Sequence, residues 1–154
     1  MNSLDSNRFN ETLGFMPNQS HDRWKFVSFA DAEVEEVPPG KTHFWYCRPS
    51  IVPETNTLFV RAHLQPGAAH NFHYHPGIEE ILYVLSGTAE QWVGEEYRKM
   101  GPGDSLYLPP DLVHATFNVG KDVLDFLAIL APAKTSGPIT IEVGDQEPWL
   151  SLRG

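Results

Sequence analysis

The chain holds a single cysteine, Cys47, so no disulfide can form within it. A fold stapled by disulfides is excluded, and Cys47 itself reads as a small, half-buried apolar residue. No apolar run approaches the roughly 20 residues that a membrane-spanning helix needs. Basic residues are scarce: 11 Lys and Arg stand against 20 Asp and Glu, a formal net charge of −9. No basic stripe offsets that balance, which argues against nucleic acid as a partner. A polybasic patch for an anionic membrane surface is missing as well. No helix-length segment combines an amphipathic period with convincing caps, and no repeat of domain-building length is present. Residues 1–15 lack the basic start and apolar centre of a secretory signal. A soluble, cytoplasmic protein is the expectation.

Turn residues are what the chain has in quantity. Thirteen prolines and twelve glycines in 154 residues imply many short strands, hence an all-β fold. The length suits one domain with a real core. Residues 1–23 are polar and unpatterned. They read either as a mobile arm or as a segment that Phe9, Leu13, Phe15 and Met16 tie down, perhaps exchanged with a second subunit. Residues 24–154 read as a single domain. Within it, 24–29 suggest a short strand, 30–41 form an acidic stretch ending in a Pro-Pro-Gly turn, and 43–52 an aromatic strand broken at Pro49. Residues 57–64 alternate cleanly, with Leu58, Val60, Ala62 and Leu64 on one face. Further strands are expected at 79–87, 88–93, 97–100, 105–109, 114–119, 122–132 and 137–143.

Chemistry concentrates in residues 67–87. His73 and His75 are one residue apart, so on a strand they point the same way. Pro76 and Gly77 turn the chain, and Glu80 lies near the start of the returning strand, where its carboxylate can fold back beside the imidazoles. His114 opens a later strand, after a loop built on Pro109 and Pro110. Three imidazoles and one carboxylate suit a divalent transition metal, with Fe, Mn, Ni, Cu and Zn all compatible. On a six-coordinate ion, four protein donors leave two positions open for water, substrate or oxygen.

At these residues the chain resembles the cupin superfamily, a family of small β-barrels. The first cupin motif is G-x5-H-x-H-x(3,4)-E-x6-G, and Gly67, His73, His75, Glu80 and Gly87 fill it. The second is G-x5-P-x-G-x2-H-x3-N, filled by Gly103, Pro109, His114 and Asn118, with Asp111 where the family has glycine. Asp tolerates turn conformations well, so the departure is mild. The resemblance implies a cupin β-barrel (a double-stranded β-helix, or jelly roll) with extra N-terminal strands. It also implies one divalent metal per chain on His73, His75, Glu80 and His114. Glu79 fits the looser spacing, but only Glu80 leaves six residues before Gly87.

Strand parity from Glu80 places Leu82 and Val84 inward, and alignment with the family places Ala89, Gln91 and Val93 inward. Thr116 and Asn118 share the face of His114. The interior is expected to be mostly apolar, with Gln91 and Thr116 as polar exceptions, either core groups or contacts to substrate. Phe72, Tyr83 and Trp92 are expected on outer faces, packed at a subunit interface or under N-terminal strands. His70 and His63 read as outward-facing, and Arg48 and Arg61 as solvated.

The resemblance leaves several functions open, since fold alone does not choose a reaction. The leading expectation is a metal-dependent enzyme of dioxygenase type, acting on a small organic molecule chelated at the metal. Glu80 could double there as a base. The alternatives are a non-catalytic binding or sensor module, and a metal-dependent lyase or isomerase with Tyr107 or His63 as base. A homodimer is expected from the aromatic stretch at 43–47 and from outward Ile81, Tyr83 and Trp92.

Overall fold

The computed structural model describes residues 24–153. The segment 1–23, read from the sequence as an arm, lies outside the described residues. Eleven strands follow a 3-10 turn at Phe29–Asp31: β1 (Glu33–Val37), β2 (Lys41–Cys47), β3 (Leu58–Leu64), β4 (Ala69–Tyr74), β5 (Glu79–Ser86), β6 (Ala89–Val93), β7 (Glu96–Met100), β8 (Ser105–Leu108), β9 (His114–Asn118), β10 (Leu124–Ala131) and β11 (Ile141–Glu142). They form a six-stranded sheet, β1-β2-β3-β10-β5-β8, and a five-stranded sheet, β11-β4-β9-β6-β7. All pairings are antiparallel. This is the double-sheet jelly roll the motifs imply, with β1 and β2 as the additional N-terminal strands. No helix among the described residues is long and apolar enough to cross a membrane.

The core follows the alternation read from the sequence. Leu58, Val60, Ala62 and Leu64 of β3 are buried while the residues between them are only half-buried. On β5, Glu80, Leu82 and Val84 are buried, and Glu79, Ile81, Tyr83 and Leu85 are exposed. These inward side chains join Ala89, Leu108, Leu124, Phe126, Ala128 and Leu130 between the sheets.

A second apolar cluster covers the outer face of the five-stranded sheet. Phe72, Trp92, Ala115, Phe117 and Val143 pack there with Trp149 and Leu152 of the C-terminal segment. Phe72 and Trp92 do face outward, but this chain's own C-terminus covers them rather than N-terminal strands. Arg153 locks the cover: its guanidinium lies 3.8 Å from the Phe117 ring centre, and its Nε donates to Glu90 at 2.7 Å. Strand β9 is consequently buried at every residue, on both faces.

Two local expectations fail at the N-terminal end. Residues 24–28 carry no strand, and the acidic stretch supplies β1 instead. Pairing with the aromatic strand β2 decides this. The acidic side chains find donors across the ladder, with Trp45 Nε1 donating to Glu35 at 2.7 Å and Thr42 to Glu36 at 3.0 Å. Strand formation here reflects cross-strand partners more than intrinsic preference.

Gly87 closes the first motif for a steric reason. Its φ is +90°, and a Cβ there would meet the Leu124 Cα at 2.8 Å and the Val123 carbonyl oxygen at 2.9 Å. Both neighbours are backbone and cannot step aside. The left-handed conformation and the overlap each penalise a side chain, so Gly87→Ala is expected to destabilise the domain by about 2–5 kcal/mol. Urea unfolding reads this directly, and a loss under about 1 kcal/mol would show that the turn relaxes easily.

Candidate metal centre

The candidate ligand residues come from both sheets. His73 lies near the end of β4, His75 just past it, and His114 opens β9, with His73 and His114 opposite one another in the ladder. Glu80 arrives from β5 in the other sheet, opposite Leu108. All four side chains are buried.

The turn between His75 and Glu80 is tied to the loop before His114. The His75 carbonyl accepts from the Ile78 and Asp111 N–H groups, each at 3.2 Å, and Asp111 Oδ1 accepts from the Gly77 N–H at 3.0 Å. Asp111 does this at φ 66°, the one positive φ outside glycine among the described residues. The residue that departs from the second motif therefore adopts the glycine conformation and adds a hydrogen bond that glycine lacks. Asn118, the motif's last residue, is structural. Its Nδ2 donates to the Leu64 and Asp122 carbonyls, each at 2.8 Å, and its Oδ1 accepts from the Gly120 N–H at 2.9 Å.

The three imidazoles share one orientation. Each Nδ1 sits against a main-chain carbonyl: His73 on Asn71 at 2.6 Å, His75 on Ile139 at 2.8 Å, His114 on Leu112 at 2.9 Å. A carbonyl only accepts, so each Nδ1 carries the hydrogen and each Nε2 is left with its lone pair. One ligand atom from each ring lies within 4.8 Å of the others. Glu80 Oε2 lies 2.9 Å from His114 Nε2 and 3.3 Å from His75 Nε2. Lone pairs thus face a carboxylate in a buried space. His75 Nε2 and Glu80 Oε2 have no hydrogen-bond partner there. A proton or a cation between such groups satisfies both sides at once. The donor set fits a divalent transition metal with His73, His75, Glu80 and His114 as ligands.

Protonation in the metal-free protein is consistent with this. Burial, together with the neighbouring His114 and His75 rings, pushes His73 down to about 3. Burial works against the charge on Glu80, but His114 and His75 outweigh it and hold the carboxyl well below its usual range. Burial also opposes a proton on His75. The Glu80 carboxylate and the Ile139 carbonyl overcome that and move His75 upward.

A cavity of about 370 Å³ opens beside the ligands. Its apolar walls are Leu58, Val60, Ala62, Ala128 and Leu130, with Val37 and Trp45. The walls expected from parity lie elsewhere. Leu82, Val84 and Ala89 are buried in the core between the sheets, with Val93 packed against them, and none lines this cavity. Gln91 and Thr116 are both buried and bonded to each other, Thr116 Oγ1 donating to Gln91 Oε1 at 2.6 Å. Gln91 lines a separate cleft, of about 520 Å³, between β7 and β8.

His70, read from the sequence as outward-facing, and His43, which that reading did not single out, both line this cavity. Parity on a regular strand turns His70 away from His73, but the β4·β9 ladder shifts register between them. His70 joins His73, His75 and Glu80 in lining the cavity, and its Nε2 lies 2.9 Å from Nε2 of His43 on β2. A bulge carries no clear residue signature, which is why alternation misplaced this side chain. The other candidates are occupied away from the cavity. His63 and Arg61 both engage Asp125, Arg48 pairs with Glu33, and the exposed Tyr107 donates to Glu79 at 3.0 Å.

Residues 60–130 match the family model described as Cupin domain. The chain is 28% identical over 117 residues to a Streptomyces cyaneus protein named Polyketide synthase CurC, covering 71% of this chain and 76% of that one. It is 31% identical over 100 residues to Germin-like protein subfamily T member 3 of Arabidopsis thaliana, covering 58% of this chain and 44% of the relative. The chain therefore spans less than half the length of that relative. Among solved structures, the polyketide cyclase RemF from Streptomyces resistomycificus superposes with a TM-score of 0.67 at 19% identity, covering 84% of this chain and 98% of that chain. A likeness at that identity speaks for the fold alone.

Metal uptake is expected to compete with the proton on His75. Raising its folded-state value means that acid fills the position and base empties it, so affinity should fall as pH falls through that value. Calorimetry of Zn(II) binding at pH 7, in buffers of different ionisation enthalpy, should show proton release. Elemental analysis should give one ion per chain, lost in His75→Ala. A folded wild type that holds no near-stoichiometric Fe, Mn, Ni, Cu or Zn after reconstitution would contradict the assignment.

Proposed function

We propose that this chain, which belongs to the cupin superfamily, is a metal-dependent enzyme acting on a small organic molecule chelated at the metal through two oxygens. The observation that carries the reading is the convergence of three Nε2 atoms and the Glu80 carboxylate beside a mostly apolar cavity. When bound, a divalent transition metal supplies Lewis acidity and a template for two substrate oxygens. The chain's residues do the rest. Main-chain carbonyls of Asn71, Leu112 and Ile139 hold the ligand rings in register. The walls from β3 and β10 exclude water, which strengthens attraction between the site and an anionic chelator.

Two kinds of chemistry fit. A dioxygenase-type reaction uses the open positions for oxygen and substrate, with Glu80 as a base. A lyase or isomerase reaction needs a separate base beside the substrate, and His70, joined to His43 in the same cavity, is such a group. That observation favours proton transfer, and we put it first. The name of the similar Streptomyces cyaneus protein contains the word polyketide, and chains of alternating ketones offer oxygen pairs of the kind proposed. A non-catalytic binding module remains the third outcome of the test.

Zn(II)-loaded protein incubated anaerobically with a panel of 1,3-diketones and 2-keto acids is expected to convert one of them, and His114→Ala is expected to lose both metal and turnover. Oxygen uptake confined to the Fe(II)-loaded protein would establish the dioxygenase reading instead. Ligand-induced shifts in the visible spectrum of the Co(II)-loaded protein, with no turnover under either atmosphere, would establish the binding module.

We also propose a cytoplasmic location, which the single cysteine supports, and a homodimer formed through the outer face of the six-stranded sheet. Ile129 of β10 lies opposite Ile81 of β5, and Ile81 lies opposite Tyr107 of β8; all three are exposed, as is Tyr83. Such a contiguous apolar strip is costly to leave in water. Light scattering should give twice the chain mass, and Ile81→Glu should give the monomer mass. A wild type that is monomeric at micromolar concentration would refute this.

A further inference from the structure

We propose that His70 and His43 act as a proton relay between the substrate cavity and solvent, with His70 as the catalytic residue that exchanges a proton with substrate. The proposal rests on the reading above, in which a chelated substrate lies beside His73, His75 and Glu80.

The geometry begins with the register shift in β4·β9. Without it, His70 would stand on the outer face of its strand; with it, His70 lines the same cavity as three of the metal ligands. Its ring meets His43 at 5.0 Å, Phe126 edge-on at 5.8 Å and His73 at 6.3 Å. His43 comes from β2, in the other sheet, and lies with Trp45, Glu35 and Lys41, of which Glu35 is exposed. The pair therefore runs from the ligand side of the cavity to the half-buried ring of His43 on β2.

The Nε2···Nε2 contact of 2.9 Å has a strict consequence. One nitrogen must carry the hydrogen and the other must offer a lone pair. Neutral imidazole has one hydrogen, so the two outer Nδ1 atoms are also opposite in kind. If His70 donates at Nε2, its Nδ1 is a lone pair and His43 carries its hydrogen on Nδ1. Passing a proton along the pair, in at one Nδ1, across the contact and out at the other Nδ1, reverses both tautomers together. Among the described residues neither Nδ1 has a hydrogen-bond partner, so both remain available for exchange.

The step balances without forming a charged ring. A substrate C–H bond breaks, its proton goes to His70 Nδ1, and the electron pair stays on the substrate as an enolate. The His70 Nε2 hydrogen passes to His43 Nε2, and the His43 Nδ1 hydrogen leaves to water. Run backwards, the same path delivers a proton to the substrate. Neutrality suits the place. Burial and the neighbouring His43 and His73 hold His70 well below its ordinary value, and burial lowers His43 as well. An isolated base in this seat would have to form an imidazolium that burial disfavours, whereas a relay does not.

Pyruvate serves as the probe, because it can chelate through carboxylate and keto oxygens and exchanges its methyl hydrogens slowly on its own. Three measurements use the full chain. In the Co(II)-loaded protein, pyruvate should shift the visible spectrum. In the Zn(II)-loaded protein in D2O, proton NMR should show the methyl signal lost faster than with free Zn(II). His70→Phe, and His70→Gln should the first variant fold poorly, should slow that loss by about 10²-fold or more while leaving the Co(II) shift intact. His43→Phe should slow it less. Independently of any metal, 15N NMR of the histidine rings should show His43 and His70 neutral and in opposite tautomers.

Each result decides. An unchanged Co(II) spectrum overturns the chelation reading, and the relay with it. A spectral shift without accelerated exchange, or with exchange that survives both His70 variants, overturns the relay alone. So does a 15N spectrum in which either ring is an imidazolium at neutral pH, or in which both are the same tautomer.

Discussion

The architecture depends on confining four polar side chains, His73, His75, Glu80 and His114, in a buried space between the sheets. Taking an ionised carboxylate out of water costs several kcal/mol even after the protein relaxes, and Glu80 is buried to 6% exposure. The usual remedy, donors aimed at the carboxylate, is withheld. The two imidazoles nearest to it spend their Nδ1 hydrogens on the carbonyls of Ile139 and Leu112. A positive species between carboxylate and imidazoles is then the remaining way to balance the site. The same carbonyl bonds that create the deficit also aim the lone pairs that a metal would use. Deficit and preorganisation are thus one arrangement seen from two sides.

That arrangement explains how labour divides between the sheets. His73 and His114 stand opposite each other in the five-stranded sheet, which needs both faces buried to hold still. The cover of Trp149 and Leu152 over Phe72, Trp92 and Phe117 supplies the outer face. Glu80 comes from the six-stranded sheet, so a bound ion would clamp one sheet to the other. Core packing of Leu58, Leu64, Leu124 and Phe126 already joins them. That packing gives the barrel a core of its own, unlike small domains that fold only around a metal.

Much of this was legible in the sequence because it rests on period-two alternation and on turn chemistry. His73 and His75 could be assigned to one face from their spacing, Glu80 joined them through its match to the cupin motif, and Asp111 could be read as a turn residue before its φ was known. The parts that were not legible depend on partners far along the chain. The acidic strand β1 exists because Trp45, Thr42 and Arg48 receive its carboxylates. The outer cluster around Trp92 is closed by residues more than fifty positions later. Parity put Leu82 and Val84 inside, as observed, yet it could not say which stretch of the interior stays open. The cavity falls instead between β3, β10 and β2, where Ala62 and Ala128 leave volume unfilled.

His70 shows the limit of alternation most sharply. Along a regular strand, inward positions are separated by even numbers of residues, and His70 stands three before His73. Only an irregular ladder can bring both to one cavity, and a shift of register does this by reversing the face of everything on its far side. The strand gives up ladder regularity at the point where it gains a third histidine beside the ligands. Bulges recur next to active sites for this reason, because re-aiming one side chain requires local disorder in the hydrogen-bond pattern. On β2 no such device is needed: the ladder with β1 keeps its register at His43, and the side chain reaches the cavity from ordinary alternation with Trp45 and Lys41. A pair of imidazoles 2.9 Å apart thus arises from one strand that keeps its register at His43 and one that shifts register beside His70, in opposite sheets. Neither strand alone would reveal it.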